Sequence, residues 1–253
     1  MSATRGTDDV VTAAILVIGD EILSGRTKDL NIGHIADHCT MIGIQVKEVR
    51  VVADEEAEIV AAVNALRARY TYVFTTGGIG PTHDDITADC VAKAFGVGID
   101  HHPDVKALLI ENFKRRNVEP TTARLRMARI PDGAEIVENK VSVAPGFKIG
   151  NVIVMAGIPA VMQVMLDSVT PRLKTGKKML SVTIELLRPE GEIADLFGET
   201  QKEFPDVSMG SYPFNREARV FGTQLVLRST DPARLASAEQ RLRERLRAAN
   251  IPA

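Results

Sequence analysis

Residues 13 to 19, AAILVIG, are an unbroken run of small and branched apolar side chains. A strand with one wet face alternates; a run without alternation belongs to a strand covered on both faces, as in a parallel sheet layered between helices. The segments that follow extend this pattern. Over residues 31 to 42 the apolar positions Ile32, Ile35, Ala36, Cys39 and Ile42 recur every three or four residues, marking a helix face that Gly43 ends. Residues 44 to 52, IQVKEVRVV, alternate as a strand does. A second amphipathic helix over residues 55 to 69 leads into TYVFTTGG, a strand entering a glycine turn. This rhythm predicts a parallel sheet with right-handed crossovers.

Helical patterns follow at residues 84 to 95 and 103 to 116, with short β-like pieces at 134 to 137 and 147 to 149. NVIVMAG reads as a further buried strand, and Pro159 opens a helix reaching about residue 173. KTGKK, at 174 to 178, has the look of a linker. Beyond it the pattern becomes strand (179 to 187), helix (190 to 203), strand (207 to 212), strand (219 to 228) and helix (231 to 249). The expected architecture is α/β: a three-layer αβα domain with a parallel or mixed sheet over residues 10 to 174, and a small βαββα domain over residues 178 to 253.

With 253 residues, 45% of them hydrophobic, the chain has the material for both cores. A formal net charge of -2 provides no overall positive field to draw it onto nucleic acid or an anionic membrane. The two cysteines, Cys39 and Cys90, are far apart, which argues against a disulfide framework or a thiolate metal site. No stretch reads as a signal peptide or a membrane span, so a soluble, cytoplasmic protein is expected.

Four segments carry candidate chemistry. TTGGIGPTHDDIT, residues 75 to 87, joins a strand end to a glycine-rich turn and a helix start bearing two acids. Gly77, Gly78 and Gly80 permit positive φ and let a ligand approach bare backbone, so that successive N–H groups converge on phosphate oxygens, with Thr76 and Thr87 at the flanks. Asp84 or Asp85 would cap the next helix, and the other would hold a divalent ion beside the phosphates. GDEILSGRTKDLN, residues 19 to 31, also follows a strand directly and offers Gly19, Asp20, Glu21, Ser24, Asp29 and Asn31. In NKVSVAPGF, residues 139 to 147, Asn139, Lys140 and Ser142 precede the turn at Pro145 and Gly146, and Lys140 would neutralise phosphate. AGIPAVM, at 156 to 162, places Gly157 and Pro159 between a strand and a helix whose N-terminus attracts anions. His83, His101 and His102 lack a metal-ligand spacing, and no GxSxG elbow for a nucleophilic serine occurs.

Together the four segments resemble the amino-terminal domain of CinA-type proteins, within the superfamily of molybdopterin-binding domains that includes MogA and MoaB. TGGIGPTHDDIT is similar to the family's TGG-x-GPT-x-DD-x-T, and GDEILSGRTKDLN to its GDE-[IL]-L-x-G-x-x-x-D-x-N. The resemblance covers residues 13 to 173, and the unit behind it resembles the KH-like region of CinA proteins. Three places depart from the pattern: Leu30 stands where threonine is common, Ser142-Val143 where glycine-threonine is common, and Ala160-Val161 where an acid is frequent. The deamidase domain of full-length CinA proteins has no counterpart in this sequence, so no deamidase activity is expected. The architecture is also reminiscent of the molybdopterin-binding-like domain of some eukaryotic FAD synthases.

The resemblance implies a small phosphorylated ligand, a nucleotide or a pterin, and assembly into a homo-oligomer. It further implies a pyrophosphatase that cleaves a nucleotide such as ADP-ribose or FAD with a divalent metal (cobalt, magnesium or manganese) and potassium. Asp84 and Asp85 would be the catalytic, metal-holding pair, Asp85 foremost because it keeps the D-x-T spacing with Thr87. The alternative is a non-catalytic molybdopterin- or nucleotide-binding module linked to molybdenum cofactor metabolism. The tail carries Arg188, Arg216, Arg219 and Arg228 but no GXXG loop, which leaves RNA a weak third reading.

Overall fold

A computed structural model describes residues 10–216 and 220–252, which divide into two units, one through Gly176 and one from Lys177. In the first unit β1 (Val11–Ile18) is buried along nearly its whole length, as its unbroken apolar run requires. Ala13, Ile15 and Val17 pack on one side against Ile35 and Cys39 of α2 (Asn31–Met41) and against Met162, Met165 and Leu166 of α7 (Pro159–Val169). Ala14, Leu16 and Ile18 pack on the other side against α3 (Glu56–Arg69) and α4 (Thr87–Phe95). The result is a three-layer αβα arrangement.

The sheet runs β2 (Ile44–Val52), β1, β3 (Tyr72–Thr76), β8 (Val152–Met155), β7 (Gly146–Ile149), β6 (Glu135–Val137). Pairings from β2 through β8 are parallel and those of β7 are antiparallel, so the sheet is mixed. The alternation in residues 44 to 52 is that of an edge strand, half wet. Between β1 and β3 the strand order reverses direction, and at that switch point an open α/β sheet leaves a crevice beyond its carboxyl ends. Register sets Val17 beside Thr76 and Thr76 beside Met155, so three motif segments leave the sheet at one edge.

Several elements differ from the sequence reading. A one-turn helix, α1 (Asp20–Leu23), follows β1 directly. The helix expected from residue 84 begins at Thr87, with Ile86 as its uncapped N-terminus, because residues 82 to 85 form a turn instead. A small antiparallel pair, β4 (Ile99–His101) and β5 (Arg129–Pro131), flanks α5 (Pro103–Arg115), and α6 (Thr122–Leu125) precedes β5. These went unread because three-residue strands and single helical turns are shorter than any periodicity can mark.

The second unit is β9 (Leu180–Leu186), α8 (Ala194–Glu203), β10 (Ser208–Arg216), β11 (Val220–Ser229) and α9 (Pro232–Ala248). Its antiparallel sheet, ordered β10-β11-β9, packs Ile184, Leu186, Leu225 and Leu227 against Phe197, Leu235, Leu242 and Leu246 of the helices. Asp231 caps α9 by accepting from the N–H groups of Ala233 and Arg234 at 2.8 and 3.1 Å. No helix among the described residues is long and apolar enough to cross a membrane.

Candidate functional site

The glycine turn at the end of β3 is shaped by contacts that exclude side chains. Gly77 and Gly78 take φ of 102° and 65°. A Cβ on Gly77 would stand 2.0 Å from the Ile18 carbonyl oxygen, and one on Gly78 2.1 Å from Thr87 Oγ1. Thr87, fully buried at the start of α4, staples the turn from behind: its hydroxyl donates to the Gly77 carbonyl at 3.0 Å and its N–H to the Gly78 carbonyl at 3.0 Å. Thr87 therefore holds the turn rather than facing a ligand.

Beyond the turn, Asp85 Oδ2 accepts from the Thr82 N–H at 2.8 Å and from the Thr82 hydroxyl. This carboxylate lies against Gly80, where a Cβ would meet it at 2.6 Å. Asp85 lines a cleft of about 600 Å³ together with Gly77, Gly78, Gly80, Ser142 and Gly157. Asp84, its partner in the sequence reading, does not line this cleft and has a side chain 61% exposed, 3.9 Å from His83.

The loop after β1 forms the neighbouring wall. Glu21 reaches the cleft, and Asp29 caps α2 by accepting from the Ile32 N–H at 2.7 Å. Asn31 Nδ2 donates to the Gly157 carbonyl at 2.7 Å, tying the second motif to the fourth. Ser24 is exposed, and Gly19 donates its N–H to the Val52 carbonyl at 3.1 Å. Asp20 contributes its N–H, at 3.0 Å, to Asp54 Oδ2. Asp54, which the sequence reading passed over, stands just past the carboxyl end of β2. Its carboxyl is pushed up by burial, opposed by the Asp20 N–H and reinforced by the charges of Asp20, Glu21 and Asp84. An acid immediately behind a parallel strand was the available signal.

The third motif divides. Asn139 is buried and builds its own loop, accepting from the Val141 and Ser142 N–H groups and donating to Ser142 Oγ and the Ala144 carbonyl. The loop forces Val143 to φ of 72°, a left-handed conformation that a branched residue rarely adopts. Asn139, Lys140 and Pro145 line a separate hollow of about 440 Å³ with His102. Lys140 is thus not on the cleft wall. The cation beside the glycine turn is Arg126, whose Nη2 donates to the Asp85 carbonyl at 3.3 Å; neither spacing nor a strand end announced it. Its neighbour Arg129 is paired with Asp89 at 2.6 Å. Gly146 opens β7, where a Cβ would strike the Val154 carbonyl.

No group of three or more His, Cys, Asp or Glu side chains among the described residues is placed to hold a metal ion. Asp85 Oδ1, in contrast, accepts no hydrogen bond from the described residues. In the second unit Arg216 is paired with Glu185 and Arg188 with Glu192, while Arg219 lies outside the described residues.

Residues 14–175 match the family described as "Probable molybdopterin binding domain", and residues 178–253 match "FAD synthase, middle domain". A protein of Saccharolobus islandicus is 32% identical over 213 residues, covering 81% of each chain. One from Archaeoglobus fulgidus is 33% identical over 199 residues, 79% of this chain and 84% of that protein. Among solved structures, the protein CinA with unknown function from Thermoplasma acidophilum superposes with a TM-score of 0.59 at 32% identity, covering 64% of this chain and 98% of that one. With the αβα fold, the glycine turn at its switch point and these matches, the chain belongs to the molybdopterin-binding-domain family and is CinA-like in its first unit, while its second unit is similar to the FAD synthase middle domain.

Proposed function

We propose that the cleft binds a small phosphorylated ligand and that the chain is a metal-dependent pyrophosphatase acting on a nucleotide such as ADP-ribose or FAD. The observation that carries this reading is the Asp85 carboxylate pressed against the side-chain-free Gly80, at the mouth of a turn whose shape only glycines allow. Backbone N–H groups of residues 78 to 80 receive the phosphate oxygens, the Gly77 N–H being spent on the Met155 carbonyl at 3.2 Å, and Arg126 balances their charge. Asp85 keeps one carboxylate oxygen anchored by Thr82, and the other takes no hydrogen bond from the described residues, so its orientation is set before substrate arrives.

The donor set suits an ion that shares its shell with substrate phosphates better than one held in an all-protein cage, since no three His, Cys, Asp or Glu side chains among the described residues gather to hold one. Asp85 and the exposed Asp84 would hold such an ion, which supplies polarisation of phosphorus and a lower pKa for the attacking water. Water adds to one phosphorus, its bond to the bridging oxygen breaks, and two monophosphates leave.

The test is incubation of purified protein with ADP-ribose, FAD and NAD, with cobalt, magnesium or manganese plus potassium, products being separated by chromatography beside Asp85→Asn. Metal-dependent AMP release that falls about 100-fold or more in the variant is the expected result. A folded sample without turnover overturns it. The second reading, a molybdopterin- or nucleotide-binding module, is favoured by the placement of Asp84 off the cleft wall, and expects tight pterin binding without hydrolysis.

A further inference from the structure

Beside the glycine turn lies a hollow of about 60 Å³, room for more than one water-sized group. It shares Glu21, Thr27, Gly77 and Gly157 with the main cleft, so it adjoins the position assigned to phosphate. Two polar side chains on its wall, Asn31 and Thr76, are only 4% and 1% exposed. Asn31 Oδ1 and Thr76 Oγ1 nevertheless find no hydrogen-bond partner among the described residues. Folded proteins pair nearly all such atoms, because a buried acceptor stripped of water and left unmatched is costly.

The chemistry of the wall narrows the occupant. Asn31 directs one N–H of its amide to the Gly157 carbonyl and leaves Oδ1 as an unmatched acceptor. Thr76 Oγ1 both donates and accepts. Glu21 and Asp29 add carboxylates, one oxygen of Asp29 being occupied by the Ile32 N–H. Lys28 adds one ammonium to the same wall, so the carboxylates outnumber it and the wall favours a neutral group with several donors over a phosphate. Thr76 directly precedes Gly77, which places that group within a sugar's reach of a phosphate on the turn.

We propose that this hollow takes the vicinal hydroxyls of a ribosyl phosphate, so that the site selects ribonucleotides over their deoxy counterparts. The inference rests on the nucleotide reading above and names the part of the nucleotide that the protein discriminates. One hydroxyl donates to Asn31 Oδ1 while the other exchanges a hydrogen bond with Thr76 Oγ1.

Calorimetric titration of the full chain with AMP, 2′-deoxy-AMP, 3′-deoxy-AMP and inorganic phosphate tests it, using wild type, Thr76→Val and Thr75→Val. Thr75 Oγ1 is likewise buried and unpaired, yet Thr75 lines none of the cavities described above, which makes it the control. The expected result is AMP binding about 10-fold or more tighter than at least one deoxy analogue. That ratio should approach unity in Thr76→Val and persist in Thr75→Val. Equal binding of AMP and both analogues by wild type, or an unchanged ratio in Thr76→Val, overturns the subsite while the nucleotide reading stands. Failure of the folded chain to bind AMP at all overturns both.

Discussion

In the first unit β1 is buried on both faces from Ala13 through Ile18, whereas in the second β9 alternates between buried Ile184 and Leu186 and exposed Thr183 and Glu185. A sheet covered twice has no face on which to keep polar groups, so its chemistry collects at the strand ends. There Gly77 and Asp54 stand within two residues of β3 and β2, and Asp85 and Asn31 lie on the segments that leave β3 and β1. A sheet covered once spreads its polar side chains over the open face, where they satisfy one another, as Glu185 does with Arg216 and Gln224. The same kind of residue is thus poised in one unit and paired off in the other.

The largest expected effect challenges the separateness of the two cores. Phe74→Ala empties a fully buried position of the first unit and should cost about 4 kcal/mol, while Leu227→Ala should cost about 3 kcal/mol in the second. Both cysteines lie in the first unit, and burial raises the Cys39 thiol to about 12 and the Cys90 thiol to about 11. Alkylation at pH 8 should therefore accelerate sharply in Phe74→Ala and hardly at all in Leu227→Ala. Equal acceleration would show that the cores open together.

Next is a matched pair of glycines. A Cβ at Gly77 meets the Ile18 carbonyl at 2.0 Å, and one at Gly222 meets the Leu186 carbonyl at 2.1 Å. Each alanine variant should lose about 2 to 3 kcal/mol in urea unfolding. Only Gly77→Ala should also lose phosphate affinity, by about 10-fold or more, since the turn N–H groups move with it. A comparable loss in Gly222→Ala breaks the assignment of binding to the first unit.

Acidity separates the units by sign. The Asp54 carboxyl is raised above its ordinary 3.8, so the folded state favours its protonated form, and stability present below that value is lost as pH rises through the folded pKa. Asp54→Asn, which keeps an acceptor for the Asp20 N–H, should remove that loss and melt higher than wild type at neutral pH. The Glu185 carboxyl is lowered from 4.5, first by Arg216 and then by Gln224; its stabilisation is present above 4.5 and lost as pH falls through the folded pKa. Glu185→Gln should melt lower at neutral pH and converge with wild type in acid. The smallest effect belongs to Val143→Gly, where relief of the left-handed valine outweighs the added freedom of glycine by under about 1 kcal/mol, readable as a shift in urea midpoint.

Much of this layout is legible in the sequence where a single physical rule governs many residues. The apolar run of β1 announces cover on both faces, the alternation of β2 announces an edge, and the glycines of residues 77 to 80 announce bare backbone. What escapes depends on one contact between distant segments. Asp54 reads as the acidic start of α3 until β2 is laid beside β1 and its carboxylate meets the Asp20 N–H. Arg126 is one arginine among several until β5 brings its segment against Asp85. Lys140 was assigned to phosphate on charge alone, and the Asn139 loop turns it to another hollow.

The bond from Asn31 to the Gly157 carbonyl, spanning 126 residues, also sets an order of events for a refolding chain. Contacts so far apart in sequence close late, because the intervening loop must first be organised. Helices and the β1–β2 pair can form from neighbouring segments, yet the floor of the cleft exists only once β8 has joined β3. Recovery of ligand binding should accordingly trail recovery of helical signal, which makes occupancy of the cleft a clock for the last step of assembly.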